Sequence, residues 1–216
     1  MSVNNRLGSL TLLLSGLFTF MGLWLRGAIA NPSVDANAYA RSVLSYSQSG
    51  AVLITASIFH LFGVLVIYSY ISKRKTNRLA LAAMILSVLG IALFLPFVGG
   101  TFVPAPTIGD LILNGNTQVI QVAEATIAGP LALFLLFSSL IPYIGGYFLF
   151  GALLWKQSKL MKIAGFALAL HAPLVTIVAS VSYVGELLGG FLLFIAGCGI
   201  VLTVMKERTF FSIIQI

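Results

Sequence analysis

Two histidines sit where nothing else in the chain calls for an imidazole. His60 and His171 each lie inside a long apolar run. Counted from the ends of those runs, each is about ten residues in, which at about 1.5 Å per residue is ~15 Å deep, the midplane of a bilayer. Two imidazoles at one depth on separate helices can ligate a b-type haem iron from both faces. The plainer role is a hydrogen bond inside a helical bundle. For His171 the sequence offers a partner, since Pro173 leaves the carbonyl one turn back without its helical donor. The plainer role weighs more, because chance readily supplies so short a motif.

A second set is ionisable. Arg26, Asp35, Arg41, Asp110, Glu124 and Glu186 all fall toward the same end of the apolar runs. Arg26 lies in the last part of the first run, and Glu186 opens the last one. A charge inside a membrane is costly, so it pairs or faces a wet cavity. Arg26 cannot escape by losing a proton. Glu124 and Glu186 are the carboxylates expected within its reach, whereas Asp35 belongs to a connection polar enough to stay in water. Such a pair is either a clasp that holds the connections on the bundle or a seat for the head group of an amphiphile. The clasp weighs more, since ionic networks often serve structure alone.

Other chemistries fail on inventory. The chain has no Asp-x-x-Asp cluster for magnesium and diphosphate, no glycine-rich phosphate loop and no His-Glu-x-x-His. Cys198 is the single cysteine, which excludes an intrachain disulfide and a cysteine metal cluster. No acid lies deep in an apolar run to relay protons, and every lysine lies in a loop, which excludes a retinal Schiff base within a span. No catalytic residue and no metal site is therefore expected.

The elements that must position these residues are membrane spans. Of 216 residues, 59% are hydrophobic and only 8% charged, against about 25% charged in a soluble domain. Six apolar stretches, near 8–30, 50–72, 79–103, 130–155, 161–184 and 187–205, are each long enough to cross ~30 Å of hydrocarbon. The first of them, with Arg6 before it and Ala28-Ile29-Ala30 after it, resembles a secretory signal. It is long for one, and is expected to remain as the first span. Arg6, Lys73, Arg74, Lys75, Arg78, Lys156, Lys159, Lys162, Lys206 and Arg208 fall on one side of six spans, with only Arg26 and Arg41 on the other. By the positive-inside rule both termini are cytoplasmic. The net charge of +7 is thus a topology signal and not a nucleic-acid surface.

Finer expectations follow. Residues 31–49 read as a polar connection. In 104–129, Gln118, Gln121 and Glu124 at intervals of three indicate a short outer-surface helix before the fourth span. Pro130 should start that span and Pro142 bend it, with Ser138 and Ser139 placed to satisfy the freed carbonyl. Tyr183 to Glu186 should form the last tight turn. Trp24, Tyr68, Tyr70, Tyr143, Trp155 and Tyr183 read as an interfacial belt. Gly185, Gly189, Gly190, Gly197 and Gly199 give the last span a small-residue stripe for close packing, within the chain or against a partner.

The run 142–155 (PYIGGYFLFGALLW), the basic turn after it, and 162–170 (KIAGFALAL) resemble the second half of a group of bacterial six-helix inner-membrane proteins known only as a domain of unknown function. The resemblance implies bacterial origin and six helices, and it brings no catalytic residue with it. The expectation is one all-α domain over 1–216, a polytopic inner-membrane bundle with both termini inside and no reaction centre. It binds a lipid-like ligand or serves as an accessory subunit. A small transporter of hydrophobic or amphiphilic solutes is the alternative, and a haem-binding or lipid-modifying enzyme the third reading. Membrane lipids are the expected partners, with the last span as the surface for any protein partner. No cofactor is expected unless His60 and His171 take haem.

Overall fold

A computed structural model describes residues 3–72 and 78–214. Arg6, Glu207 and Arg208 as side chains, and Lys73, Arg74 and Lys75 altogether, lie outside what it describes. The helices are α1 (Val3–Arg26), α2 (Ala36–Val43), α3 (Tyr46–Ser72), α4 (Arg78–Phe102), α5 (Ala105–Leu113), α6 (Val119–Ala128), α7 (Pro130–Trp155), α8 (Lys159–Thr176) and α9 (Tyr183–Ile214). Six stretches, containing α1, α3, α4, α7, α8 and α9, are long and apolar enough to cross a membrane.

These six close into a ring. Helix α1 packs on α3 and α9, α9 on α8, α8 on α7, α7 on α4, and α4 on α3, the least extensive of the joints. Small residues allow the close approaches. A Cβ on Gly151 would stand 2.6 Å from the Gly165 carbonyl oxygen, and one on Gly90 would stand 2.6 Å from the Tyr143 Cα. The glycines of α9 are used inside the chain: Gly190 and Gly197 face α1, while Gly189 and Gly199 face α8. The end of the ring with Arg78, Lys156, Lys159, Lys162 and Lys206 is termed the basic end. The opposite end carries α2, α5 and α6 and is termed the capped end.

The capped end departs from expectation. The connection 31–49 is not simply a polar segment in water, because it contains α2. Asp35 caps that helix by accepting from the Ala38 amide at 2.8 Å. Tyr39, Ala40 and Val43 form its buried face, and with Tyr46, Phe102, Ile108 and Ala123 they make a small core separate from that of the ring. Helix α5 was likewise not anticipated, whereas α6 stands where the glutamine and glutamate spacing put it. Thr101 Oγ1 ties α4 to α6 by donating to the Thr126 carbonyl at 3.2 Å.

Three boundaries also move. Helix α1 ends at Arg26, where Gly27 takes φ +71°, a conformation that side chains disfavour. Helix α8 ends at Thr176 and a single 3-10 turn, Val178–Ser180, follows. Tyr183 to Glu186 is the first turn of α9 and not a loop. Ser182 caps it, its hydroxyl accepting from the Gly185 amide at 3.2 Å. Pro130 does begin α7, and the helix continues through Pro142. The serines do not reach the freed carbonyl: Ser138 donates to Leu135 O at 3.3 Å and Ser139 to Leu136 O at 2.6 Å.

Candidate functional site: a cavity between two polar layers

Midway along the ring, two histidines and two tyrosines stack in one layer. Tyr143 and Tyr147 are four residues apart on α7, so both phenols leave the same helix face. His60 arrives from α3 and His171 from α8. His60 Nε2 lies 2.6 Å from the Tyr147 hydroxyl, and His171 Nε2 lies 3.2 Å from that of Tyr143. The imidazole centroids are 5.5 Å apart, and the two phenol rings are 4.8 Å apart. All four side chains are buried. Whichever ring nitrogen of His171 carries the hydrogen, its Nδ1 is a buried polar atom with no partner. An unmet group of that kind costs about 1–3 kcal/mol.

The sequence placed both histidines at one depth, and the structure brings them together. The tyrosines were misread. Tyr143 and Tyr70 are buried within the bundle and are not part of an interfacial belt. The signal for the first was its spacing of four from Tyr147, at the depth already counted for the histidines. Nor does His171 turn to the carbonyl freed by Pro173, since its Nε2 faces Tyr143. The layer does not fit haem. Each Nε2 already faces a phenol, and the Tyr147 ring lies 5.2 and 5.1 Å from the two imidazoles, leaving no slot for a porphyrin plane. Among the described residues, no three of His, Cys, Asp or Glu gather into a metal-binding group.

The second polar layer lies at the capped end. Arg26 closes α1 and Glu186 opens α9, each at the helix end whose dipole favours its charge. The guanidinium and the carboxylate meet through both arms: Nη1 donates to Oε1 at 2.9 Å and Nη2 donates to Oε2. Arg26 Nε donates to Gly27 O at 3.2 Å, which leaves one hydrogen on each Nη without a protein acceptor. The rings of Phe102 and Tyr183 lie 5.9 and 6.0 Å from the guanidinium carbon. Glu124, the other carboxylate expected within reach, does not join the pair. It accepts from the Ser33 hydroxyl at 2.8 Å, linking the segment before α2 to α6.

Between the layers lies a cavity of about 940 Å³, at the upper end of ligand-site volumes. Its walls are mostly apolar, with Ile91, Phe94, Phe97 and Val98 of α4, Leu136 of α7 and Val175 of α8, and they include the hydroxyls of Ser57, Thr101 and Thr176. Arg26, Glu124 and Glu186 border its capped end, and His60, Tyr143 and His171 border its deep end. Gly190 of α9 faces Phe20 of α1 and Gly189 faces Val175 of α8, which sets Thr19 close to the level of His171. The seven residues from Thr19 to Arg26 then make the cavity about 10 Å deep. Three of the spans around it contain an interior proline: Pro96, Pro142 and Pro173. No family model, curated protein or solved structure matches the chain.

Proposed function

We propose that this is a non-enzymatic multi-pass membrane protein that holds one lipid-like amphiphile in the cavity between the Arg26–Glu186 pair and the His–Tyr layer. The observation that carries the reading is the order of surfaces along that cavity. A charged pair lies at the capped end, a mostly apolar belt follows, and uncharged hydrogen-bonding groups lie at the bottom. Apolar walls with a few convergent polar groups are how small-molecule sites are built. Cytoplasmic termini, from the lysine and arginine bias, direct the capped end and its cavity to the outside.

Native mass spectrometry of the full chain released from nanodiscs tests this. The native protein should carry an amphiphile that Leu136→Trp, which fills the cavity from α7, no longer retains. Equal retention by both, or none by the native chain, would refute the reading. For orientation, Asn116→Cys in a Cys198→Ser background should react with an impermeant maleimide on intact cells, and Lys159→Cys should not. The reverse labelling would overturn the orientation alone.

A further inference from the structure

Burial in the capped half of the ring is uneven. Four spans bury side chains there, as at Leu23 of α1, Ser49 of α3, Val98 of α4 and Glu186 of α9. Helices α7 and α8 differ. No residue is buried from Pro130 to Ser138 of α7, or from Pro173 to Val181 in α8 and the turn after it. The two helices close on each other toward the basic end, where Gly151 meets Gly165, and they meet again at the Tyr143–His171 hydrogen bond. On the capped side of that bond α8 leans on α9, with Leu174 and Val175 against Gly189 and Val178 against Gly185. Leu136 of α7 and Thr176 and Ala179 of the α8 side line the cavity there.

Resting on the amphiphile reading above, we infer that the cavity opens sideways between α7 and α8, on the capped side of their Tyr143–His171 contact, and that the amphiphile is a lipid of the surrounding leaflet that inserts an acyl chain through this opening. Two observations favour the side route over entry from water. At the capped end, Ser33 of the segment after α1 donates to Glu124 of α6 at 2.8 Å, which straps together two segments that line the cavity there. Along the side, the exposed residues are apolar. Val181, 83% exposed, lines the cavity, and Leu131, Phe134 and Ile177 stand exposed on the flanking helices. Such a rim suits hydrocarbon and is unfavourable against water. A chain that enters there lies on the apolar walls, while Arg26, Glu124 and Glu186 stay at the level of the head group.

Phosphatidylcholine with a diazirine at the end of one acyl chain tests the route, used as the lipid of nanodiscs that hold the full chain. Leu53 and Ser57 of α3 are the reporters. They share the helix face of His60 and line the cavity, across the ring from α8, whereas Ile58 and Phe62 of the same helix are exposed. After irradiation, adducts mapped by mass spectrometry should fall on Leu53 and Ser57 as well as on Ile58 and Phe62. In Leu136→Trp, whose indole stands at the α7 edge of the opening, the adducts on Leu53 and Ser57 should be lost and the outer ones kept. Adducts confined to the outer residues, or inner adducts that survive in Leu136→Trp, would overturn the side route. If Leu136→Trp fails to fold, the pattern in the native protein decides alone. A parallel sample in amphipol, with no bilayer, receives a short-chain phosphatidylcholine carrying the same diazirine from water. Inner adducts there but not in nanodiscs contradict only the side route. Inner adducts in neither sample take the cavity reading down as well.

Discussion

The two halves of the ring use the same six helices and the same apolar vocabulary, yet one is filled and the other is hollow. Toward the basic end, Tyr147, Phe150, Leu154, Leu168 and Leu193 are fully or almost fully buried. The helices close on them through bare backbone, as at Gly151 against Gly165 and at Gly197 against α1. Toward the capped end, the first part of α7 buries nothing. Leu131, Phe134, Phe137 and Ile141 are exposed, and no residue from Pro130 to Ser138 is buried. A Cβ on Gly99 or Gly100 would meet nothing within 4 Å. Hydrophobicity alone therefore does not decide whether a bundle packs. Backbone approach does: α1, α8 and α9 still close through Gly189 and Gly190 in the capped half, whereas Gly99 and Gly100 of α4 have no neighbour to close on. The short helices α2, α5 and α6 cover the hollow half with a core of their own.

Thermal unfolding of the full chain in detergent ranks the consequences. The largest loss belongs to splitting the ion pair. Arg26→Ala or Glu186→Gln leaves one buried charge unmatched, at about 3–5 kcal/mol, the lower figure fitting a pair that borders a cavity. Replacing both partners, with Arg26→Met and Glu186→Leu together, should cost less than either single change, because no charge is stranded. If the double variant were worse than both singles, the pair would be more than a clasp between α1 and α9. Next comes Gly90→Ala, whose added methyl meets the backbone of Tyr143 and should cost about 1–3 kcal/mol. Gly100→Ala, in the hollow half, should be neutral or stabilising by up to ~1 kcal/mol through helix propensity. Similar effects at 90 and 100 would erase the contrast between the halves.

Much of this was legible before the structure. Apolar run lengths located six candidate spans, because a bilayer imposes a length that chance seldom meets. That Arg26 meets Glu124 or Glu186 followed from scarcity, as the chain has few carboxylates and Arg26 cannot shed its charge, and the structure selects Glu186. The common depth of His60 and His171 followed from counting. What was missed is equally physical. A tyrosine in a span reads as interfacial until its helix face is known, so Tyr143 was assigned to the belt and its pairing with His171 went unseen. Helix α2 spans little more than two turns, too short for the period of Tyr39, Ala40 and Val43 to stand out among the serines and asparagines around it. Glu124 was placed on the right helix, but its partner Ser33 lies 91 residues away on a segment that read as solvated. The glycines of α9 announced close packing without saying whose, and they prove to face α1 and α8.

The most direct test of the central claim is an experimental density map of the full chain in lipid nanodiscs. The account predicts elongated non-protein density running from Arg26 and Glu186 down to His60 and His171, with none between the helices of the basic half. A cavity closed by rearranged side chains, or one holding only isolated water-sized peaks, would contradict it.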